Sequence, residues 1–89
     1  MKFAWDNTKR RTNLRKHGLD FADAETLFSG ITLTTEDRRF DYGERRFITL
    51  GMLQDAVVVV AHTETESTIR IISMRRATKN EESVYFESI

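Results

Sequence analysis

The sequence predicts an α+β domain, with helices packed on one face of a mainly antiparallel sheet. Three observations predict it. The apolar period changes from helical to alternating at Ile31. Beyond Arg46, three apolar runs are separated only by the short polar stretches Gln54-Asp55 and residues 63–67, the spacing of a meander. A short alternating segment, Phe3 and Trp5 among polar neighbours, precedes the helical region.

The expected order is β-α-α-β-β-β-β-α. Residues 2–6 read as a short strand. Asp6 or Asn7 can cap a helix over residues 8–17, and Gly18 suits the left-handed position after it. That helix has a single large apolar residue, Leu14, too little for a wide buried stripe. Asp20 can cap a second helix, with Phe21, Ala24, Leu27 and Phe28 facing the core and Gly30 ending it. Residues 31–34 alternate as a short strand, and the charged residues 36–44 read as a loop. The next strand begins at Arg46 and carries Ile48, Leu50 and Met52 on one face. Residues 56–61 are continuously aliphatic, as in a central strand covered on both faces. Residues 68–74 form the last strand. Thr78 and Glu81 have the spacing of a capping box, which opens a short C-terminal helix.

Composition narrows the function. A chain of 89 residues is one domain, and 39% hydrophobic residues suffice for a folded core. With no Cys and two His, disulfides, thiolate chemistry and a His/Cys zinc site have no support. The longest apolar stretch is too short to cross a bilayer, and no export signal is visible, so the expectation is a cytoplasmic protein without a membrane contact. The net charge is zero, yet residues 1–18 carry +5 and residues 19–89 carry −5. The basic N-terminal patch suits a polyanion. Phosphate-loop, dinucleotide and HExxH motifs are absent, so no cofactor or metal is implied.

Several residues could carry chemistry. Lys9, Asn13 and His17 recur at four-residue spacing, with Lys16 a turn from Asn13, so they share one helical face. Together they could hold a phosphodiester, or they could be a solvated stripe. In residues 68–76, strict alternation puts Ile69, Ile71, Ser73 and Arg75 on one face and Arg70, Ile72, Met74 and Arg76 on the other. Arg70, among isoleucines, needs either a phosphate or a carboxylate from Glu44, Glu64 or Glu81. Glu44-Arg45-Arg46 could combine a general base with a phosphate clamp for RNA cleavage without a metal. It could equally be a cross-strand charge pair.

Taken together, these motifs resemble the BrnT family of toxins from BrnT/BrnA toxin–antitoxin pairs. The carriers are Phe3 to Asp6 (FAWD), Lys9, Asn13, Lys16 to Gly18 (KHG), Phe21, Ala24, Phe28, Glu44-Arg45, Gly51, Ile69 to Ala77 (IRIISMRRA), Glu81 and Tyr85. The chain departs from the family pattern at Asn7, where Pro is common, and at Glu82, where a basic residue is usual. The resemblance implies a RelE-like fold and RNA cleavage that stops translation. It also implies a BrnA-like ribbon-helix-helix antitoxin, in a 2:2 complex through antitoxin dimerisation. Operator DNA is then contacted only through the antitoxin. The candidate catalytic residues are His17, Glu44, Arg45, Arg70 and Arg75, and the candidate RNA-binding residues are Lys9, Asn13 and Lys16. A non-catalytic RNA- or ribosome-binding module is the competing reading.

Overall fold

Asp6 caps the first helix: its carboxylate accepts the Lys9 N–H at 3.0 Å, and helix α1 spans Asn7–His17. Gly18 ends it at φ 68°, its N–H bonded to the Leu14 carbonyl. The structure, a computed structural model, describes residues 1–89. Strand β1, Lys2–Trp5, precedes α1. The expected second helix is split. Asp20 caps a 3₁₀ turn, Phe21–Asp23, which leads into a five-residue helix α2, Ala24–Phe28. Phe21, Ala24 and Leu27 are buried as their spacing predicts.

Four strands follow: β2 (Thr32–Asp37), β3 (Arg46–Leu53), β4 (Ala56–Glu64) and β5 (Thr68–Arg76). Strand β2 runs past its expected end because Glu36 and Asp37 still pair across to Phe47 and Arg46. Gln54 and Asp55, both at positive φ (52° and 63°), close the β3–β4 hairpin in the mirror-image turn that matches strand twist. Helix α3, Lys79–Ser88, opens with the capping box: Thr78 Oγ1 accepts the Glu81 N–H, and Glu81 Oε1 accepts the Thr78 N–H.

The sheet order is β1-β5-β4-β3-β2. The sheet is mixed rather than wholly antiparallel, since β1 runs parallel to β5. Alternation of side chains is the same in either strand direction, so the pattern at Phe3 and Trp5 carried no sign of this.

The helices also do not share one face. Val58 and Val60 of β4 pack with Leu19, Phe21, Ala24 and Leu27, whereas Val57 and Val59 pack with Leu50 and Tyr85 of α3. Because neighbours along β4 point to opposite faces, α3 lies across the sheet from α2. Tyr85 is core, with its hydroxyl donating to the Ile31 carbonyl at 2.7 Å.

The expected alternation of β5 is broken by a bulge. Ser73 pairs with Ala61 and Ile71 with His62, which leaves Ile72 as an extra residue. Side-chain parity inverts there. Ile69, Ile71 and Met74 therefore share the buried face under α2. Arg70 and Arg75, predicted on opposite faces, share the other, where Arg75 stands opposite Val59.

Gly51 sits beneath α2. A Cβ built there would lie 2.7 Å from Leu27 Cδ2 and 3.3 Å from Thr32 Cγ2. Leu27 is buried and has little room to retreat. Gly51→Ala is expected to destabilise the domain by about 1–3 kcal/mol, the usual cost of overpacking. Urea unfolding measures it as a lower midpoint at an unchanged slope.

Candidate functional site

Helix α1 brings Lys9, Asn13, Lys16 and His17 to one groove, together with Thr8 and Thr12. Its opposite wall is Ile72 and Ser73, the bulge of β5. Arg10 is withdrawn from this surface by a two-pronged bond to Asp20, at 2.7 and 2.9 Å. That guanidinium, with the Ala22 N–H, lowers the Asp20 pKa to about 2. Lys9, Arg11, Arg15 and Lys16 form no ion pair. Uncompensated positive charge on α1 is thus a property of the folded molecule as well as of the sequence.

Asn13 differs from its neighbours in being buried. Its Nδ2 donates to the carbonyls of Leu19 (3.2 Å) and Met74 (2.9 Å), and its Oδ1 accepts the Met74 N–H at 3.1 Å. These bonds hold α1 against β5 just beyond the bulge. Leu14, the lone large apolar residue of α1, is exposed instead. A polar clamp does the anchoring that an apolar stripe does in most surface helices.

A second cluster lies on the sheet face opposite α2. Arg70 Nη2 donates to both Glu44 oxygens at 2.8 Å, and Arg46 Nε donates to Glu44 Oε2 at 3.2 Å. The bond from Arg46 and the charge of Arg70 hold the Glu44 carboxyl below its ordinary range. Arg46 also covers the Tyr42 ring at 4.1 Å. Arg45 turns away: it bonds Glu36 at 3.2 Å and lies over Phe47. The carboxylate–guanidinium set is therefore Glu44, Arg46 and Arg70, and Arg46 takes the place that the sequence reading gave to Arg45. Strand alternation holds the clue, since Arg46 is two residues from Ile48 and so shares its face.

Arg75 stands on the same face but faces α3. Its two terminal nitrogens bond both oxygens of Glu81 at 2.7 and 2.8 Å. Arg75, aided by the Thr78 N–H, lowers the Glu81 pKa to about 2. This pair ties the capping box of α3 to the sheet.

The sequence-predicted residues thus fall into an α1 groove (Lys9, Asn13, Lys16, His17), a Glu44–Arg70 cluster, an Arg75–Glu81 tie and an outlying Arg45. Ser73 on the groove wall is three residues from Arg70 and two from Arg75, so β5 connects the parts.

One polar residue escaped the sequence reading. His62 is fully buried; its Nε2 meets Thr49 Oγ1 at 2.7 Å, and Thr49 meets Thr34 Oγ1 at 2.6 Å. Phe28 and Phe47 flank the ring. Burial pushes its pKa down, against the pull of Glu64, whose Oε1 is 3.7 Å from Nδ1. A neutral imidazole in the core serves packing. That leaves His17 as the histidine on the surface groove.

No helix is long and apolar enough to cross a membrane. A search of curated proteins found no match for the chain. The family model described as "Ribonuclease toxin, BrnT, of type II toxin-antitoxin system" matches residues 5–81, a span that takes in α1, the Glu44 cluster and all of β5. That match, over a chain whose free cations and arginine–carboxylate cluster both border β5, settles its kinship: the protein belongs to the BrnT family of ribonuclease toxins, and its partner is a protein antitoxin.

Proposed function

We propose that the protein is a metal-independent endoribonuclease that inhibits translation, with α1 gripping the RNA backbone and the Glu44 cluster doing the chemistry. The observation that carries this reading is the pairing of Glu44 with Arg46 and Arg70 on an open sheet face, beside a strand whose bulge walls the cationic groove.

The chemistry follows from the groups. A phosphodiester arriving at Arg46 and Arg70 competes with Glu44 for their N–H donors. The Glu44 carboxylate then loses the contacts that depress its pKa and regains basicity. It takes the proton of the 2′-hydroxyl as that oxygen attacks phosphorus. The guanidiniums hold the charge that builds on the phosphoryl oxygens. A proton must reach the leaving 5′-oxygen, and His17, the histidine of the surface groove, is the group proposed to carry it. Arg75, paired with Glu81, supports the same face by tying α3 to it, Asn13 holds the groove wall in place, and Arg45 reinforces the loop through Glu36. In this reading the fold is RelE-like and the protein acts in the cytoplasm. A BrnA-like ribbon-helix-helix antitoxin, in a 2:2 complex, neutralises it and alone contacts operator DNA.

The test uses purified protein with labelled single-stranded RNA in EDTA. Fragments are expected; intact, bound RNA favours the non-catalytic module. Binding is expected to weaken steeply with salt, by about 0.7 log units of affinity per log unit of salt for each phosphate contact on a single strand. Lys9→Ala with Lys16→Ala is expected to lower affinity and to flatten that slope by up to two contacts' worth. An unchanged slope moves the groove elsewhere.

A further inference from the structure

The β2–β3 loop contains an aromatic side chain that the catalytic reading does not use. Phe40 is 66% exposed, in a domain with a thin core where an apolar ring is better buried. The loop that carries it is tied by hydrogen bonds. Asp37, whose side chain is only 5% exposed, accepts from the Arg39 N–H (3.2 Å), from Arg39 Nε and Nη2 (2.9 and 3.0 Å), and from the Tyr42 hydroxyl (3.0 Å). Asp41 accepts the Gly43 N–H at 3.0 Å, with Gly43 at φ 71°. Tyr42 meets the Phe40 ring edge-to-face at 5.8 Å, and the Arg39 guanidinium lies 5.8 Å from its centre. One buried carboxylate thus ties together a loop that presents an exposed aromatic ring with one arginine beside it.

Phe40 meets Tyr42, whose ring is covered by Arg46, and Arg46 bonds Glu44, so Phe40 stands at the rim of the proposed catalytic cluster. The loop's charges are balanced: residues 36–46 carry four arginines and four carboxylates, and Arg38, Arg39 and Arg45 bond Glu36 or Asp37. The loop therefore does not attract RNA by net charge, as α1 does. What it offers is an exposed aromatic ring with the Arg39 guanidinium beside it, the chemistry that receives an unpaired base.

We infer that Phe40 is a stacking platform for one unpaired base of the RNA, next to the scissile phosphate, so that the enzyme takes single-stranded RNA in preference to duplex. The inference rests on the ribonuclease reading above.

The test is fluorescence anisotropy with the whole protein and a short labelled RNA carrying 2′-O-methyl riboses, which cannot be cut by 2′-hydroxyl attack. Phe40→Ala is expected to weaken single-strand binding roughly 5- to 150-fold, the range for loss of one stacked base. Phe40→Trp is expected to restore it. The salt slope should stay at its wild-type value in Phe40→Ala, since stacking releases no counterion. The same sequence as a duplex should bind both forms alike. Wild-type affinity in Phe40→Ala, while Lys9→Ala with Lys16→Ala binds weakly, overturns the platform and leaves the ribonuclease reading standing. Failure of the wild-type protein to bind RNA at all overturns both. A Phe40→Ala variant that keeps its RNA affinity but no longer co-purifies with its antitoxin makes Phe40 a protein contact and overturns the platform as well.

Discussion

Arg70→Ala is expected to lower the rate of RNA cleavage by about 10²–10³, with the protein still folded. The rate follows from the position of Arg70. It holds both oxygens of the carboxylate proposed as base, so it is the guanidinium best placed to receive the phosphate in exchange. The folding argument follows from exposure. The Arg70–Glu44 pair is open to water, and exposed pairs contribute little to stability. Glu44 also retains Arg46 after the substitution. Arg70→Lys sharpens the test. Lysine keeps the charge and loses the planar fork, so a two-pronged phosphate clamp is still expected to lose most activity. Arg75→Ala is a poorer probe, because it also releases Glu81 and the capping box of α3. Single-turnover cleavage by Arg70→Ala at the wild-type rate removes the Glu44 cluster from the mechanism.

Asn13→Ala should have the largest effect on stability among substitutions in α1. The amide makes three bonds to backbone groups, two of them to the N–H and carbonyl of Met74 inside the sheet. Truncation leaves those groups buried without partners. The expected loss is about 2–4 kcal/mol, a large part of the few kcal/mol that hold a small domain together. For a domain of this size it corresponds to a melting temperature lower by roughly 10–25 °C. Asn13→Asp is no rescue, since a carboxylate can still accept from Met74 but cannot donate to the two carbonyls. Calorimetry on Asn13→Ala and on the neighbouring Thr12→Ala separates this clamp from the general cost of altering α1. Equal melting temperatures for the two variants would show that the clamp adds nothing.

These two residues also show how differently parts of the molecule were written in the chain. Asp6, Gly18 and the Thr78–Glu81 box were readable as helix ends, because a cap acts over three or four residues and its geometry is local. Arg46–Leu53 was readable as a strand for the same reason: alternation is a property of neighbours. The cationic character of α1 likewise needed only composition and spacing.

The rest depended on groups far apart in sequence. Asn13 looked like one member of a surface stripe, and it became a clamp only because Met74, 61 residues later, presents its backbone there. Arg70 was seen to need a carboxylate or a phosphate, but Glu44 could be chosen over Glu64 and Glu81 only once strand register was set. A single extra residue at Ile72 inverted the parity of β5 and moved Arg75 to the face of Arg70, an outcome invisible to a period-two pattern that assumes no bulge. Local sequence thus encodes which backbone each segment adopts, since torsion preferences and capping bonds are short-range. Which side chains meet is left to register, bulges and strand direction, since these are set by the packing of the whole core and not by any one segment.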